Sequence, residues 1–430
     1  MKSSILPSFS YALLPAGLIM IAAGCGGGQN GMTSPTPTPT PAITNTVAVT
    51  FLAPMPVAVA EQIGVGNWTS ASLPGSGVLT VGLPSGTTRY GIAFLCTRTA
   101  LGSPVNNEWI IEADLKDGSA YSLQMCNPNT PVTPPMGNIS GSVDATAISG
   151  TTSLDIFIEG SGAIFENATT ASFNTTVPTG TADVYAVAYG NAPNILAMKI
   201  LRSQTVPGAA NGGSPIILTA SDAVTQQPIS VLNAPSGGFS APTTNPPPAY
   251  VSPHGSFEVG LGFVDSTKYA VVSAANAQPG DYYTFNATSG TATQIVSTQQ
   301  FLTTNGPVTL TLPTPWSPVS PAPAAFPTFT FDYTGFSGQA VVVDSAGISW
   351  GAGFNAIGIY STANHQNGAT ALSIPDLTSI PGFSAIVPSG TINWGATTWG
   401  GTTQPYLNFV APPIPQTLSS VVGLGSYTIP

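Results

Sequence analysis

Charge is what this sequence has least of. Charged side chains make up 6% of its 430 residues, against roughly 25% in an average soluble protein. Lys and Arg together number seven, and none follows Lys268. Phosphate backbones are held by clustered Lys and Arg, so nucleic acid is excluded as a partner. The net charge of −10 is spread thinly and marks no acidic tail. Ser, Thr, Asn and Gln carry the surface polarity instead. Histidine is nearly absent too. His254 and His365 lie far apart, and no cysteine pair has ligand spacing, so neither a metal nor a cofactor is expected. Long apolar runs are missing beyond the N-terminus. A mean hydropathy of +0.26 would suit a membrane protein, yet no later segment reaches the roughly 18 uninterrupted apolar residues of a spanning helix. A membrane β-barrel also has alternating strands, but the proline-interrupted C-terminal third speaks against one.

What is present begins with a leader. Met1 and Lys2 open the chain, and an apolar run from Ile5 to Ala23 follows, broken by small polar residues, Pro7 and Pro15. A charged start, an apolar middle and a small-residue exit make up a secretory signal. The exit, Ile21-Ala22-Ala23-Gly24-Cys25, resembles the lipobox of bacterial lipoproteins, with Ala22 where that family prefers Leu. The resemblance implies cleavage after residue 24, a diacylglyceryl group on Cys25 and anchoring to a membrane through it. Gly26, in place of the Asp that retains enterobacterial lipoproteins in the inner membrane, implies an outer membrane. A transmembrane helix is the rival reading, but Gly26-Gly27-Gly28 and the Ser34–Pro41 tract supply no positive stop-transfer flank. Residues 25–45 read as a linker. Its Pro-Thr alternation favours polyproline II, which at about 3.1 Å per residue lifts the folded part off the lipid. The expected location is the bacterial cell envelope.

Gly (47) and Pro (42) are frequent, and Val, Thr and Ile are plentiful, which reads as many short strands separated by turns. The expected fold is all-β: tandem antiparallel β-sandwich domains, immunoglobulin-like or transthyretin-like, after the signal peptide and linker. A first sandwich occupies 46–130, with strands at Val47–Leu52, Val57–Ile63, Val78–Leu83, Arg89–Cys96, Trp109–Ala113 and Tyr121–Cys126. A second occupies 136–235, where Leu154-Asp155-Ile156-Phe157-Ile158-Glu159 largely alternates. Residues 236–430 read as one irregular β domain, with a division into two near Pro318–Pro327 as the alternative. One pattern recurs: Leu83-Pro84-Ser85-Gly86-Thr87, Val177-Pro178-Thr179-Gly180-Thr181 and Val387-Pro388-Ser389-Gly390-Thr391. Pro presets a corner and Gly accepts positive φ just behind it, so each is expected to reverse two strands. Duplicated modules or a common hairpin turn would both produce this recurrence. Ile139-Ser140-Gly141-Ser142-Val143 with the second copy of the turn resembles carboxypeptidase regulatory-like, transthyretin-type sandwiches, which implies a non-catalytic accessory domain.

Assigning Cys25 to lipid leaves Cys96 and Cys126, an even pair in an exported chain. A disulfide between them would remove about 3.5 kcal/mol of loop entropy from the unfolded state. Buried free thiols are the alternative.

Catalytic signals are few. Gly347-Ile348-Ser349-Trp350-Gly351 fits the Gly-x-Ser-x-Gly nucleophile elbow, which needs a strand, a tight turn and a helix. The residues after it are a poor helix, and His365 precedes Asp376 against that family's order, so Ser349 stays an isolated candidate. Glu108, Glu112 and Asp114 could supply the two carboxylates of a glycosidase, or simply keep an exposed strand face soluble. Trp350, Trp394 and Trp399 are candidates for stacking on sugar rings, or for filling a core. The function expected is a non-catalytic envelope lipoprotein that displays β-sandwiches for adhesion, scaffolding or ligand capture. Its expected partners are the membrane through Cys25 and a glycan or envelope protein. A carbohydrate-binding, carbohydrate-active or esterase-like protein is the rival.

Overall fold

The computed structural model describes residues 43–429 apart from 53, 101–102, 124–125, 127–134, 159–163, 192–193, 262–265, 304, 317–319, 337–338, 352–354 and 402–415. The leader, Cys25 and the Pro-Thr linker lie outside the described residues. The chain is all-β. Its strands fall into four groups, introduced here in order.

The first group holds β1 (Ile43–Phe51), β2 (Ala58–Ile63), β3 (Trp68–Ala71), β4 (Val78–Pro84), β5 (Arg89–Ala100), β6 (Ser103–Asp114) and β7 (Ala120–Leu123). The second holds β8 (Met136–Asp144), β9 (Ser153–Ile158), β10 (Ile164–Glu166), β11 (Thr170–Pro178), β12 (Gly180–Tyr189), β13 (Ile195–Val206), β14 (Gly208–Ala209) and β15 (Ile216–Ile217). The third holds β16 (Thr225–Leu232), β17 (Ala249–Ser252), β18 (Gly255–Glu258), β19 (Lys268–Val271), β20 (Tyr282–Gly290), β21 (Gln294–Leu302) and β22 (Val308–Thr311). The fourth holds β23 (Thr328–Thr330), β24 (Ala340–Trp350), β25 (Asn355–Thr362), the short α1 (Ala363–Gln366), β26 (Ala371–Ser373), β27 (Gly390–Gly401) and β28 (Gln416–Ile429).

One topology repeats through these groups. In the first, β1 lies antiparallel to β4 and parallel to β7, and faces a second sheet ordered β3-β2-β5-β6. The second group repeats it as β11-β8-β14 over β10-β9-β12-β13, with β8 antiparallel to β11 and parallel to β14. The third gives β19-β16-β22 and β18-β17-β20-β21. The fourth gives β23-β26 and β25-β24-β27-β28, and among the described residues β23 has no parallel strand beside it. The chain is thus a series of related β-sandwiches. β16 lies before the boundary drawn at 235, yet it pairs with β19 and β22 and is the first strand of the third sandwich.

The recurring Pro-Ser/Thr-Gly turn has a different job from a hairpin reversal. It carries the chain from β4 to β5 and from β11 to β12, across from one sheet of a sandwich to the other. Its third copy leads into β27. Gly86, Gly180 and Gly390 have φ of 82°, 126° and 71°, and a Cβ at any of them would meet nothing within 4 Å. Backbone conformation, not crowding, is what calls for glycine there. The third sandwich uses a shorter version, Pro279-Gly280, with φ 95° at Gly280.

Three sandwiches are then fused edge to edge. β6 pairs with β25 in parallel, and β28 pairs with β21 antiparallel. The result is a 12-stranded sheet, β18-β17-β20-β21-β28-β27-β24-β25-β6-β5-β2-β3, which among the described residues has two free ends and does not close into a barrel. The first sandwich keeps its own core, in which Val47, Val49, Phe51, Leu79, Val81 and Phe94 interdigitate. Each such side chain contributes about 1.5–3 kcal/mol through burial. The Cys96–Cys126 disulfide joins β5 to the segment after β7, stapling that sandwich's two sheets with Cα atoms 4.8 Å apart. The second sandwich has a separate core around Ile139, Leu154, Ile156 and Val184. Its opposite face, through Phe157 and Tyr185, packs on Phe257 of the third.

Candidate functional site

Register decides where each candidate side chain points. On β6, residues 108, 110, 112 and 114 share one face, and Ile110 on that face belongs to the large core shared with the third and fourth sandwiches. The face expected to be solvated is covered. Glu108 is 2% exposed and Asp114 4% exposed. Asp114 is satisfied, accepting from Thr88 Oγ1 at 2.6 Å and from the Lys116 amide at 3.0 Å. Glu108 is not: its Oε1 is buried without a hydrogen-bond partner. Burial, and then the charge of Asp376, push its carboxyl up to about 8. Burial also pushes Glu112 up to about 7, partly offset by a hydrogen bond from Ser361.

Glu112 meets the one buried histidine. Thr362 caps α1 by accepting from the His365 amide at 3.1 Å, which turns the imidazole inward. His365 Nδ1 lies 3.5 Å from Glu112 Oε2 and 3.5 Å from Ser361 Oγ. Burial first, and the charge of Arg89 second, hold the imidazole down at about 4. With the carboxyl raised and the imidazole lowered, this contact is not a fixed ion pair near neutrality. A serine relay needs the hydroxyl on one ring nitrogen and the acid on the other. Here both approach Nδ1, and Ser361 is fully buried. Beside it, Asp117 accepts from Asn364 Nδ2 at 2.6 Å, from the Asp114 amide at 2.9 Å and from the Thr362 hydroxyl. This knots the first sandwich to the fourth.

Ser349 does not sit on an elbow. The strand before the motif, β24, runs on through it to Trp350, and Ser349 lies between Ala356 and Asn393 in the middle of the sheet. The turn comes only at Gly351 (φ 61°). The strand pairing that places Thr362 opposite Val343 puts His365 about 20 Å along the sheet from Ser349. Trp350 and Trp394 point to the inner face and are buried, Trp394 against Phe329 with ring centroids 6.1 Å apart. Both indoles are engaged in packing. Trp399 is half-buried on the opposite face.

That opposite face of the fourth sandwich is its most open sheet surface. Gly358, Gly347 and Gly395 stand side by side on β25, β24 and β27, a floor about 10 Å across. Ser345, Ser349, Asn393 and Thr397 flank it. Trp109 lies over Gly358, whose Cβ would sit 2.9 Å from the indole, and stacks on Tyr360 with centroids 6.1 Å apart. Leu424 stands at the other side of the floor. Trp109 escaped the sequence reading because its place beside Gly358 depends on β6 pairing with a strand far along the chain.

A third cluster joins the second sandwich to the third. Arg202 donates to Asp183 at 3.2 Å and to Asp281 at 2.6 Å, and its Nη2 donates to the Asn276 carbonyl at 2.9 Å. Asn276 itself donates to the Met198 carbonyl at 2.9 Å and accepts from the Ile200 amide at 3.2 Å. Its side-chain amide therefore occupies the free edge of β13 as a neighbouring strand would. Among the described residues no group of three or more His, Cys, Asp or Glu could hold a metal ion, and no helix is long and apolar enough to cross a membrane.

No family model matches the chain, and no curated protein matches it. Among solved structures, the tip fimbrial protein Mfa3 from Porphyromonas gingivalis, with C-terminal truncation, is 12% identical, covers 36% of this chain and 78% of its own, and has a TM-score of 0.17. At that score the likeness carries no argument.

Proposed function

We propose that this chain is an exported, lipid-anchored, non-catalytic protein of the bacterial cell envelope, whose fused sandwiches form a stiff platform for adhesion or scaffolding. The observation that carries the reading is the 12-stranded sheet. Tandem domains on flexible linkers move independently, whereas strand pairing across β6–β25 and β21–β28 locks three sandwiches into one surface. The lipobox-like exit at Cys25 and the Pro-Thr linker supply the tether, and Gly26 supports an outer-membrane destination. The burial of Glu108, Glu112, Ser361 and His365 inside packing fits a structural role for groups that hydrolysis would need in the open.

Metabolic labelling with a palmitate analogue tests the tether: the wild type should be tagged and Cys25→Ser should not, and equal labelling would overturn the anchor. Adhesion is tested on cells displaying Ser349→Arg with Thr397→Arg, two changes on the outer face of the fourth sandwich. Binding to host or neighbouring cells should fall severalfold with the melting temperature unchanged. Binding that survives both changes removes this face from the proposal. A hydrolase activity abolished by Ser349→Ala would sink the non-catalytic reading.

A second reading, sugar binding, is favoured by one observation: the Trp109–Tyr360 stack beside a glycine floor rimmed with hydroxyl and amide groups. Aromatic faces stack on sugars, and such groups hold their hydroxyls. A glycan array comparing the wild type with Tyr360→Ala and Trp399→Ala decides it.

A further inference from the structure

The link between β26 and β27, residues 374–389, is far longer than the matching Pro-Ser/Thr-Gly crossings of the first two sandwiches. Its extra length leaves the fourth sandwich and lies on the first. Gly382 rests on Ala58, where a Cβ would come within 2.5 Å of the Ala58 methyl. Leu377, Phe383 and Ile386 share one core with Ala60, Ala93, Leu95 and Ile110. These four belong to the face of β2, β5 and β6 that points away from the first sandwich's own interior. Backbone hydrogen bonds hardly hold the link down. Beyond Ile374, which donates to Pro327, its backbone bonds among the described residues are its own turns, Ile380 to Leu377, Phe383 to Ile380 and Ile386 to Phe383. It is a strap pressed on by apolar contact.

Glu108 lies in the same row of the sheet as Ala58, with Leu95 between them and Ile357 on its other side. It is a buried carboxyl without a partner for Oε1. We infer that residues 375–389 are a pH-responsive strap, closed over the outer face of the first sandwich while Glu108 is protonated and released when Glu108 ionises.

The surroundings set the direction. The strap presents Asp376 to Glu108, and that charge disfavours ionisation. On β6 the next titratable group of the same face is Glu112, which faces His365 and Ser361. β2 and β5 contribute Ala58, Leu95 and Ala93, and β25 contributes Ile357 and Ile359, none of them charged. Among the described residues an ionised Glu108 has no cation to pair with, and it must recruit water. Strand pairing fixes Ala58, Leu95 and Ile357 around it, whereas no strand pairing holds the strap. Release uncovers the apolar sheet face of Ala60, Ala93, Leu95 and Ile110. The inference concerns a different surface from the proposed adhesion face and stands or falls without it.

Limited chymotrypsin digestion of the full chain reads the strap directly, since Phe383 is fully buried when it is closed. Cleavage after Phe383 is followed from pH 6 to 9.5 in the wild type and in Glu108→Gln. Taking the ratio cancels the protease's own pH dependence. The ratio should rise about tenfold with a midpoint near 8, while cleavage after Phe94, inside the first sandwich, stays constant. A flat ratio overturns the inference, and so does cleavage at Phe94 in step with Phe383, which signals global unfolding. Should Glu108→Gln fail to fold, Asp376→Asn at an exposed position takes its place. Removing that charge should move the wild-type midpoint to lower pH, and an unmoved midpoint overturns the inference.

Discussion

The first and second sandwiches share a strand order and use it oppositely. In the first, the outer edge of β6 is open to strand pairing and takes β25, so the sandwich becomes part of the 12-stranded sheet. In the second, the equivalent strand β13 has its edge occupied by the Asn276 amide and flanked by Arg202, Asp183 and Asp281. Their charges differ in the same way. Arg202 of the second sandwich sits between two buried carboxylates, Asp183 of the same sandwich and Asp281 of the third. The first buries Glu108 with no cation beside it among the described residues. An edge strand is a hazard until something covers it, and this chain covers one with a full strand and the other with a short backbone bridge at Ala223 and the Asn276 side chain. A topology fixes which edges exist, and a handful of polar residues decide which are used.

The comparison breaks most sharply at Arg202. Arg202→Ala leaves Asp183 and Asp281 buried and unpaired, so we expect a loss of about 3–5 kcal/mol, measured by urea denaturation, with the first sandwich's disulfide intact. Removing the disulfide tests the other sandwich. Cys96→Ser with Cys126→Ser should cost about 3.5 kcal/mol, and protease sensitivity should rise in 43–126 rather than in 136–217.

Glu108 sharpens the contrast because its effect depends on pH. The unfolded chain releases this proton near 4.5, whereas the folded chain keeps it until about 8. Stability from this group is therefore full below 4.5 and is lost as pH climbs toward 8. Glu108→Gln should be more stable than the wild type by about 2 kcal/mol at pH 6 and equal to it at pH 4, as read by thermal melts across the acid-to-neutral range. Asn276→Ala carries the smallest expected effect, about 1 kcal/mol, but it bares the edge of β13. Sedimentation velocity should then show concentration-dependent association absent from the wild type.

The strands of the first sandwich were legible because their apolar residues alternate. Val47, Val49 and Phe51 or Leu79, Val81 and Leu83 announce both the strand and its buried face. β3 was missed because Trp68-Thr69-Ser70-Ala71 sits at a sheet edge with little to bury. Of β27 only the start, Ile392-Asn393-Trp394 after the third turn, reads as strand, and β28 was missed, for a related reason: Gly, Ser and Thr on their open face dilute the alternation that Ile392, Trp394 and Ala396 would otherwise show. Alternation also tells only that one side of a strand is polar. It does not tell whether another layer lies on that side, which is why Glu108 and Asp114 read as solvated and are buried. Ser349 illustrates the converse: a short motif fits by composition, and only register shows that it lies mid-strand. Trp109 beside Gly358, and the knot of Asp117 with Thr362, depend on pairing between distant segments, which no local pattern encodes.

The β6–β25 pairing has a consequence in time. β6 ends at Asp114, but the strand that covers its edge begins at Asn355. A chain emerging N-terminus first must carry that edge bare while the second and third sandwiches are made and collapse beside it. Closure across so long a separation is slow, and an unsatisfied edge recruits whatever strand arrives first. The order of arrival therefore bears on the outcome as much as the final contacts do. A pause in synthesis anywhere between 114 and 355 prolongs the interval in which this molecule can pair with the wrong neighbour.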